Sequence, residues 1–445
     1  MKNIATRRTL MTLLCAGMLA SVMTMPGCSA PGGMTDKEKA AITPTAAPEG
    51  KYAFWPLFPD EPRIQFLKAF GTSDDVSPSK ASTLEKVVFG KQVDDTAGIN
   101  KPYGVAMKNG KIYVCDIRGT SLVVLDLKKK QTRLVGTSGS NRLAHPVAVA
   151  VADDGMIYVA DNERGLVMVF DANERYQSSM GFDKFKPVAV AVHGNTLYAC
   201  DMAGQNVTVF DRKTGQKTGT IGSVGDGEGQ FRVPLGLSVD AAGNVYVADM
   251  MACRVQKFMP DGKYVAVYGK LGDHGGSFAR PKHMAIDSSG IHYVVDAAFQ
   301  NVQIFDPQYQ VLMAFGAAGS YPGAMNLPAG ICVTDDSIEY FKDLLHPGFE
   351  AKRLVVVTNQ FGPNKVAVYA LGQLKKGWTA EQLAASSAGV TSGMGMSEDR
   401  AALQKAVGEL PPEGAQANPD ANPPEPDLGS PSTKPATPPP AANPK

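Results

Sequence analysis

Short runs of apolar residues, separated by turn residues, recur along most of this chain. The stretch 234–269 shows the unit clearly, with four runs rich in Val, Tyr, Leu and Phe between turns that contain Asp, Gly, Asn and Pro. Alternation of apolar and polar positions bounded by such turns is typical of short antiparallel strands. The unit therefore predicts a small four-stranded sheet, which must stack on similar sheets to bury both of its faces.

Six copies of this unit follow one another at intervals of 41 to 47 residues. Each copy opens with a proline, and these prolines are Pro102, Pro146, Pro187, Pro234, Pro281 and Pro328. The sixth copy lacks an obvious fourth strand, whereas an extra strand pattern at Ile64–Phe70 precedes the first copy. A ring whose two ends join in one sheet leaves no open edge between blades. We therefore predict an all-β, six-bladed β-propeller of four-stranded antiparallel blades, closed by an N-terminal strand that supplies the outer strand of the last blade.

The copies resemble the NHL repeat over residues 62–370, through the pattern P-x-G-[ILV]-x-V-D-x-x-G-N-[IV]-Y-V-x-D followed by R-[IV]-Q-x-F. The fourth and fifth copies match this pattern best. The resemblance implies the propeller fold, but the NHL family is functionally broad, so it implies little about activity. Similar bacterial NHL lipoproteins are associated with multi-protein envelope complexes, including electron-transfer complexes. The resemblance therefore implies another envelope protein as the partner.

The N-terminus has the pattern of an export signal. Lys2, Arg7 and Arg8 precede an apolar run that ends at Gly27 and Cys28. A basic start before an apolar run of this length is typical of a signal peptide, and a glycine before the cysteine resembles the lipobox of bacterial lipoproteins. We predict a signal peptide at 1–27, lipidation of Cys28 by acyl chains such as palmitate, and an exported protein anchored on the periplasmic or cell-surface side.

The rest of the chain divides by composition. Residues 28–50 are small, polar and Pro-containing, which predicts a flexible tether. The propeller is expected at 51–372, a helical or coil extension at 373–409, and a disordered Pro/Ala-rich tail at 410–445. The sixth copy carries an insertion at 335–352, whose Ile338, Phe341 and Leu345 fit one helical face. Two interpretations stay open for it: a partner contact, or a flap that packs on its own blade.

Charge and cysteine content narrow the classes of partner. The chain has 44 Lys and Arg against 43 Asp and Glu, a formal net charge of +1. Nucleic-acid binding requires the neutralisation of many phosphates, so this balance argues against a nucleic-acid partner. None of the six cysteines lies in a CxxC or CxxCH motif, so neither a zinc knot nor covalent haem is indicated. We expect a monomeric propeller with no resident cofactor.

Aspartates end five of the six second strands and form the most regular polar feature of the repeats. They are Asp116, Asp161, Asp201, Asp249 and Asp296. A ring of carboxylates could coordinate a metal or ligand, but recurrence in five blades favours local Asx turns, in which each carboxylate accepts backbone N–H groups. We therefore interpret these aspartates as structural.

The inner strands carry one unusual side chain. The second residue after the opening proline is small in five copies, as a crowded central channel requires, and is His283 in the fifth copy. Some NHL-like propellers hold zinc with several inner-strand histidines, but zinc needs three or more protein ligands and only one such histidine occurs here. We interpret His283 as a channel-lining residue that forms hydrogen bonds.

Loops on one side of the ring supply the candidate interface. The turns between second and third strands carry charged, Met and aromatic residues, a mixture that suits protein contacts. Together with two aromatics of the insertion, the candidates are Arg118, Glu163, Arg164, Met250, Met251, Phe299, Tyr340 and Phe341. We predict a non-catalytic protein-binding scaffold of the cell envelope. The alternative is a propeller-type hydrolase or lyase with a metal in the channel near His283.

Overall fold

The computed structural model describes residues 52–76 and 98–387. The predicted signal peptide, the tether, Cys28 and the Pro/Ala-rich tail lie outside these residues. Within the two described ranges, no helix has the length and apolar character needed to cross a bilayer.

Strands account for about half of the described residues. Before the first repeat lie β1 (Ala53–Trp55), β2 (Ile64–Phe70) and a 3₁₀ turn at Ser73–Asp75. Blade 1 consists of β3 (Pro102–Lys108), β4 (Lys111–Asp116), β5 (Ser121–Asp126) and β6 (Gln131–Val135). Blade 2 consists of β7 (Pro146–Val151), β8 (Ile157–Asp161), β9 (Leu166–Phe170) and β10 (Tyr176–Met180). Blade 3 consists of β11 (Pro187–His193), β12 (Thr196–Asp201), β13 (Asn206–Asp211) and β14 (Lys217–Ile221).

The second half repeats this arrangement after a short parallel pair, β15 (Ser223–Val224) and β16 (Gln230–Phe231). Blade 4 consists of β17 (Pro234–Val239), β18 (Val245–Asp249), β19 (Arg254–Phe258) and β20 (Tyr264–Tyr268). Blade 5 consists of β21 (Pro281–Ile286), β22 (His292–Asp296), β23 (Asn301–Phe305) and β24 (Val311–Phe315). Blade 6 contains β25 (Pro328–Thr334), β26 (Phe349–Asn359) and β27 (Val366–Leu374), and α1 (Ala380–Ser387) follows it.

These sheets form the six-bladed propeller expected from the repeats. Every inner strand begins at the opening proline of its copy. Neighbouring inner strands contact one another in chain order, and β25 contacts β3 to complete the ring. Apolar side chains of adjacent blades form the core between them, because a blade alone cannot cover its own faces.

The N-terminal segment closes the ring as predicted. β2 pairs antiparallel with β27, placing Phe70 opposite Val366 and Ile64 opposite Leu371. The sequence did not indicate β1, which pairs with β2 as a fifth strand of this sheet. β1 is held by its aromatics: the buried Trp55 ring lies 5.8 Å from Tyr369 and 6.3 Å from Phe315.

The insertion of blade 6 is shorter than predicted and packs against the propeller. Residues 338–344 form a 3₁₀ helix, and β26 already begins at Phe349, so the insertion is 335–348 rather than 335–352. The physical reason is that β26 and β27 extend their ladder beyond those of the other blades, as far as the Phe349–Leu374 pair. The helical or coil extension likewise begins after β27, because residues 373 and 374 belong to that strand.

Hydrogen bonds fasten the insertion at two places. The amide of Gln65 on β2 donates to Leu344 O at 2.8 Å and accepts the N–H of His346 at 3.0 Å. In blade 1, the N–H of Gly110 donates to Ser337 Oγ at 2.8 Å. Phe341 is buried in the core between blades 6 and 1. Of the two interpretations of this segment, the contacts match a flap packed on the propeller.

Candidate functional site

The propeller has two unlike faces, which the chain direction defines. One face carries the turns between second and third strands together with the links between blades, and we call it the link face. The other carries the hairpins between first and second strands and between third and fourth strands, and we call it the hairpin face. Loops held on such a rigid scaffold commonly bear function.

The five aspartates stand at the link-face ends of the second strands and are saturated by backbone donors. Asp249 is typical: its carboxylate accepts the N–H groups of Arg232 at 2.8 Å, Val233 at 2.9 Å and Ala252 at 3.3 Å. Each carboxylate therefore ties its own turn to the segment that leads into the same blade. Equivalent bonds occur at Asp116, Asp161, Asp201 and Asp296. These bonds match the structural interpretation, and in blade 6 Asn359 takes the position, accepting the N–H of Asn326.

Six of the predicted interface residues lie on the link face. Arg118, Glu163 and Met251 are exposed, whereas Met250 and Phe299 are half-buried. Arg164 is also half-buried, and its guanidinium donates to the carbonyls of Arg142 at 2.7 Å and Ser140 at 3.0 Å. These residues share a face because each follows a second strand, although they occupy different blades.

The two insertion residues do not belong to this group. Tyr340 packs against Gly110 in the first hairpin of blade 1, which places it on the hairpin face. Phe341 is 2% exposed, so the prediction that it contacts a partner is wrong. Its burial follows from the 3₁₀ helix, which turns the ring toward the core between blades 6 and 1.

The link face also exposes large apolar side chains, of which the sequence analysis selected only Met251. Leu271 in the link to blade 5 is 75% exposed, and Met251 in the adjacent turn of blade 4 is 55% exposed. Further exposed side chains on this face are Met202, Val224 and Phe361. Four of these five lie on consecutive turns and links of blades 3 and 4. Met202, Met251 and Phe361 lie in turns that follow second strands, and their positions could be read from the repeats. How far each side chain is exposed depends on how the neighbouring links fold, which the repeats do not show.

The central channel is crowded where the repeats have small residues. A Cβ added to Gly104 would lie 2.6 Å from Ala148 Cα, and one added to Gly236 would lie 3.0 Å from His283 Cα. The inner strands thus approach backbone to backbone. In every blade the ladder is irregular just after the opening proline, as between Pro281 and His283 on β21. Such bulges change the direction of the side chain they contain.

Lys282 occupies this irregular position in blade 5 and has unusual surroundings. Its side chain is only 9% exposed, and its Nζ lies 5.5 Å from the centre of the Tyr103 ring on β3 of blade 1. Blades 5 and 1 are not neighbours in the ring, so this contact spans the inner strand of blade 6, where Ala329 and Gly330 leave space. Burial lowers the pKa of Lys282 to about 8, and the positive charges of Arg280 and Lys101 act in the same direction.

His283 follows directly and lies at the inner strands of blades 5 and 6. Its Nδ1 is buried without a hydrogen-bond partner. Burial lowers its pKa to about 4, although backbone groups of Ile331 and Met284 oppose the shift. The ring is therefore neutral at neutral pH. Within the described ranges, no three His, Cys, Asp or Glu side chains lie close enough together to hold a metal.

A polar groove between blades 1 and 2 has its charges satisfied internally. The groove encloses about 460 Å³ and is lined in part by Arg133, Glu174 and residues 136–141. Arg133 Nη2 donates to Glu174 Oε1 at 2.7 Å, and Lys111 Nζ donates to the same oxygen at 2.8 Å. Because these charged groups pair with one another, the groove offers a weaker candidate site than the link-face end of the central channel, where Lys282 lies.

Comparison with known proteins transfers no activity to this chain. No protein-family model and no curated protein matches the chain. A solved protein of unknown function from Bacteroides thetaiotaomicron VPI-5482 is 19% identical at a TM-score of 0.48, covering 61% of this chain and 69% of that one. Virginiamycin B lyase from Staphylococcus aureus is 10% identical at 0.44, covering 61% and 96%. A gluconolactonase from Xanthomonas campestris is 12% identical at 0.47, covering 73% and 98%.

Proposed function

We propose that this chain is an exported, lipid-anchored propeller of the NHL-repeat type that binds another envelope protein through its link face, without catalysing a reaction. The observation that supports this proposal best is the set of exposed apolar side chains on that face, led by Leu271 and Met251. Apolar and aromatic side chains grouped on one surface are typical of protein-binding sites.

The anchor and the scaffold fit together physically. An acyl chain on Cys28, after a signal peptide at 1–27, would hold the protein at a membrane while the tether lets the propeller reach its partner. The NHL resemblance implies a place in a multi-protein envelope complex, and such complexes include electron-transfer complexes.

Affinity capture from crosslinked bacterial envelopes tests the interface. The double variant Met251→Glu/Leu271→Glu places two negative charges on the link face, one in the turn after β18 of blade 4 and one in the link from blade 4 to blade 5. The matched control Val265→Glu/Val267→Glu places two charges on the exposed outer strand β20 of the same blade, where the side chains are 44% and 43% exposed. We expect the link-face variant to capture about tenfold less partner than the wild-type protein, or even less. The reason is that a charged residue at the centre of an apolar contact costs several kcal/mol. The control should retain it.

Two further measurements bear on the other parts of the proposal. Cys28→Ser should move the protein from the membrane fraction to the soluble envelope fraction, and unchanged fractionation would contradict lipidation. Metal analysis of the purified protein addresses the enzyme alternative. One divalent ion per chain that is lost in His283→Ala would favour a metal-dependent hydrolase or lyase over a scaffold.

A further inference from the structure

A largely buried lysine without a counterion, Lys282, lies at the mouth of the channel on the link face. The Lys282 ammonium has no hydrogen-bond or ion-pair partner within the described part of the chain, and its Nζ lies 5.5 Å from the centre of the Tyr103 ring. Burying an ammonium without an anion or hydrogen-bond acceptors costs several kcal/mol. Buried charges in proteins are therefore usually paired, and an unpaired one marks a place where a ligand can supply the missing charge.

The surrounding charges make the missing partner an anion. The charged groups that act on Lys282 are Arg280, two residues earlier, and Lys101, the residue before β3. Arg280 is exposed, and Lys101 lies 5.8 Å from the Phe361 ring at the edge of the link face. The three cations belong to the segments that open blades 5 and 1. Their charges add at the channel mouth, where low-dielectric walls strengthen the attraction for a counterion.

Neighbouring groups at the mouth can complete an oxyanion site. Burial raises the pKa of the Tyr103 phenol to about 12, so at neutral pH it carries a proton that can be donated. Between Tyr103 and Lys282, the blade 6 residues Ala329 and Gly330 bring no long side chain into the channel. The aspartates nearest this mouth, Asp116 and Asp296, already accept backbone N–H groups.

We propose that the channel mouth binds a small oxyanion carrying two or more negative charges, with the Lys282 ammonium as its central contact and Lys101 and Arg280 at its rim. Phosphate and di- or tricarboxylates share this chemistry. The site is independent of the protein interface proposed above, because it lies in the channel and uses charge instead of apolar contact. It also differs from the metal alternative, since a metal ion would be repelled by these cations.

Titration calorimetry on the full chain tests the site at constant ionic strength. The probes are inorganic phosphate, citrate and succinate, with acetate and chloride as monovalent comparisons. We expect saturable binding of at least one multivalent probe, and no saturable binding of acetate or chloride. Lys282→Met keeps the side-chain length but removes the charge, and we expect about tenfold or greater weakening. Arg280→Gln, an exposed change that leaves the core intact, should weaken binding by about threefold.

A matched control and a stability measurement separate this site from a packing role. Lys263→Met removes an exposed lysine from the hairpin face and should leave binding unchanged. In ligand-free buffer, Lys282→Met should raise the Tm, because it removes an uncompensated buried charge. The multivalent probes should raise the Tm of the wild-type protein and not that of Lys282→Met.

Three results would overturn the site. These are equal responses to acetate and citrate, equal binding by wild-type and Lys282→Met, and loss of stability in Lys282→Met without ligand. The pH dependence gives a further check, since the titratable and charged groups that act on Lys282 are Arg280, Lys101 and Tyr103. Affinity should fall as pH rises through about 8, where Lys282 loses its proton. Affinity that is constant from pH 7 to 9 would contradict its role.

Discussion

His292, on β22, is a polar side chain held in an aromatic environment between blades 4 and 5. It is 1% exposed, and its Nδ1 lies 2.8 Å from the Tyr268 hydroxyl. The Tyr246 ring lies 4.9 Å away in an edge-on arrangement. Burial lowers the pKa of His292 to about 4, and the nearby Lys257 charge adds to the shift. The folded protein therefore holds this imidazole neutral at a pH where the unfolded chain would protonate it.

This shift predicts a loss of stability in mild acid. The contribution of neutral His292 is fully present above the unfolded value of about 6.5 and is lost as pH falls toward about 4. The loss over that window is on the order of 3 kcal/mol, and His283 adds a similar dependence. We expect His292→Phe to remove roughly half of the decrease in the free energy of unfolding between pH 6.5 and pH 4, measured by urea denaturation at each pH. His274→Gln, on an exposed link, is the control, and an unchanged slope in His292→Phe would contradict the assignment.

Between blades, the links have a common construction. Four links, those that follow blades 1, 3, 4 and 5, begin at a glycine and bring an apolar side chain into the core close to that glycine. At Gly269, where φ is +81°, an added Cβ would lie 2.5 Å from Phe278 Cδ2. The same approach joins Gly136 to Leu143, Gly222 to Phe231 and Gly316 to Met325. Glycine is needed at these positions both for the left-handed backbone and for the space that the ring occupies.

A matched pair of glycine substitutions separates these two causes. Gly194, in the first hairpin of blade 3, has φ +55° and nothing within 4 Å of an added Cβ. Gly194→Ala should cost about 1 kcal/mol for backbone strain alone. Gly269→Ala should cost about 2 kcal/mol more, because the Phe278 ring must also move from its buried place. Equal shifts in the urea midpoint would show that the ring contact is unimportant.

At the scale of the whole molecule, the propeller depends on two distant parts of the chain meeting in blade 6. β2 covers β27, and β1 covers the edge that β2 would otherwise expose. Phe54, Ile64 and Phe70 are all buried in the cores on the two sides of this blade. Loss of such large buried side chains costs about 2 to 5 kcal/mol each. Ring closure is therefore a major part of the stability of the protein.

Two truncations test the closure. A chain that begins at residue 72 lacks β1 and β2, whereas a chain that begins at residue 51 keeps both strands. We expect the shorter chain to lower the Tm by more than 10 °C or to aggregate, since it exposes the apolar edge of β27. The longer chain should melt like the full-length protein. A folded, monomeric short chain of unchanged Tm would show that blade 6 does not need the N-terminal strand.

The channel residues His283 and Lys282 show which part of the candidate site could be predicted from the aligned repeats and which part could not. Aligning the copies singled out His283, because its neighbours at the equivalent position are small. Lys282 stands beside it and was missed, although the same alignment places it among Tyr103, Val147, Val188, Leu235 and Ala329. Its importance comes from burial and from the absence of a counterion, which depend on how the inner strand of blade 5 packs near Tyr103 of blade 1.

The repeated pattern was sufficient to predict the number of blades, the residue that opens each inner strand and the strand that closes the ring. It was sufficient because each blade is a local unit, whose turns and alternation lie within about 45 residues. Contacts between blades decided the rest: the burial of Phe341, the fifth strand at β1, the exposed apolar side chains of the link face and the unpaired Lys282. These features arise where segments far apart in the chain meet, so no local pattern of residues contains them.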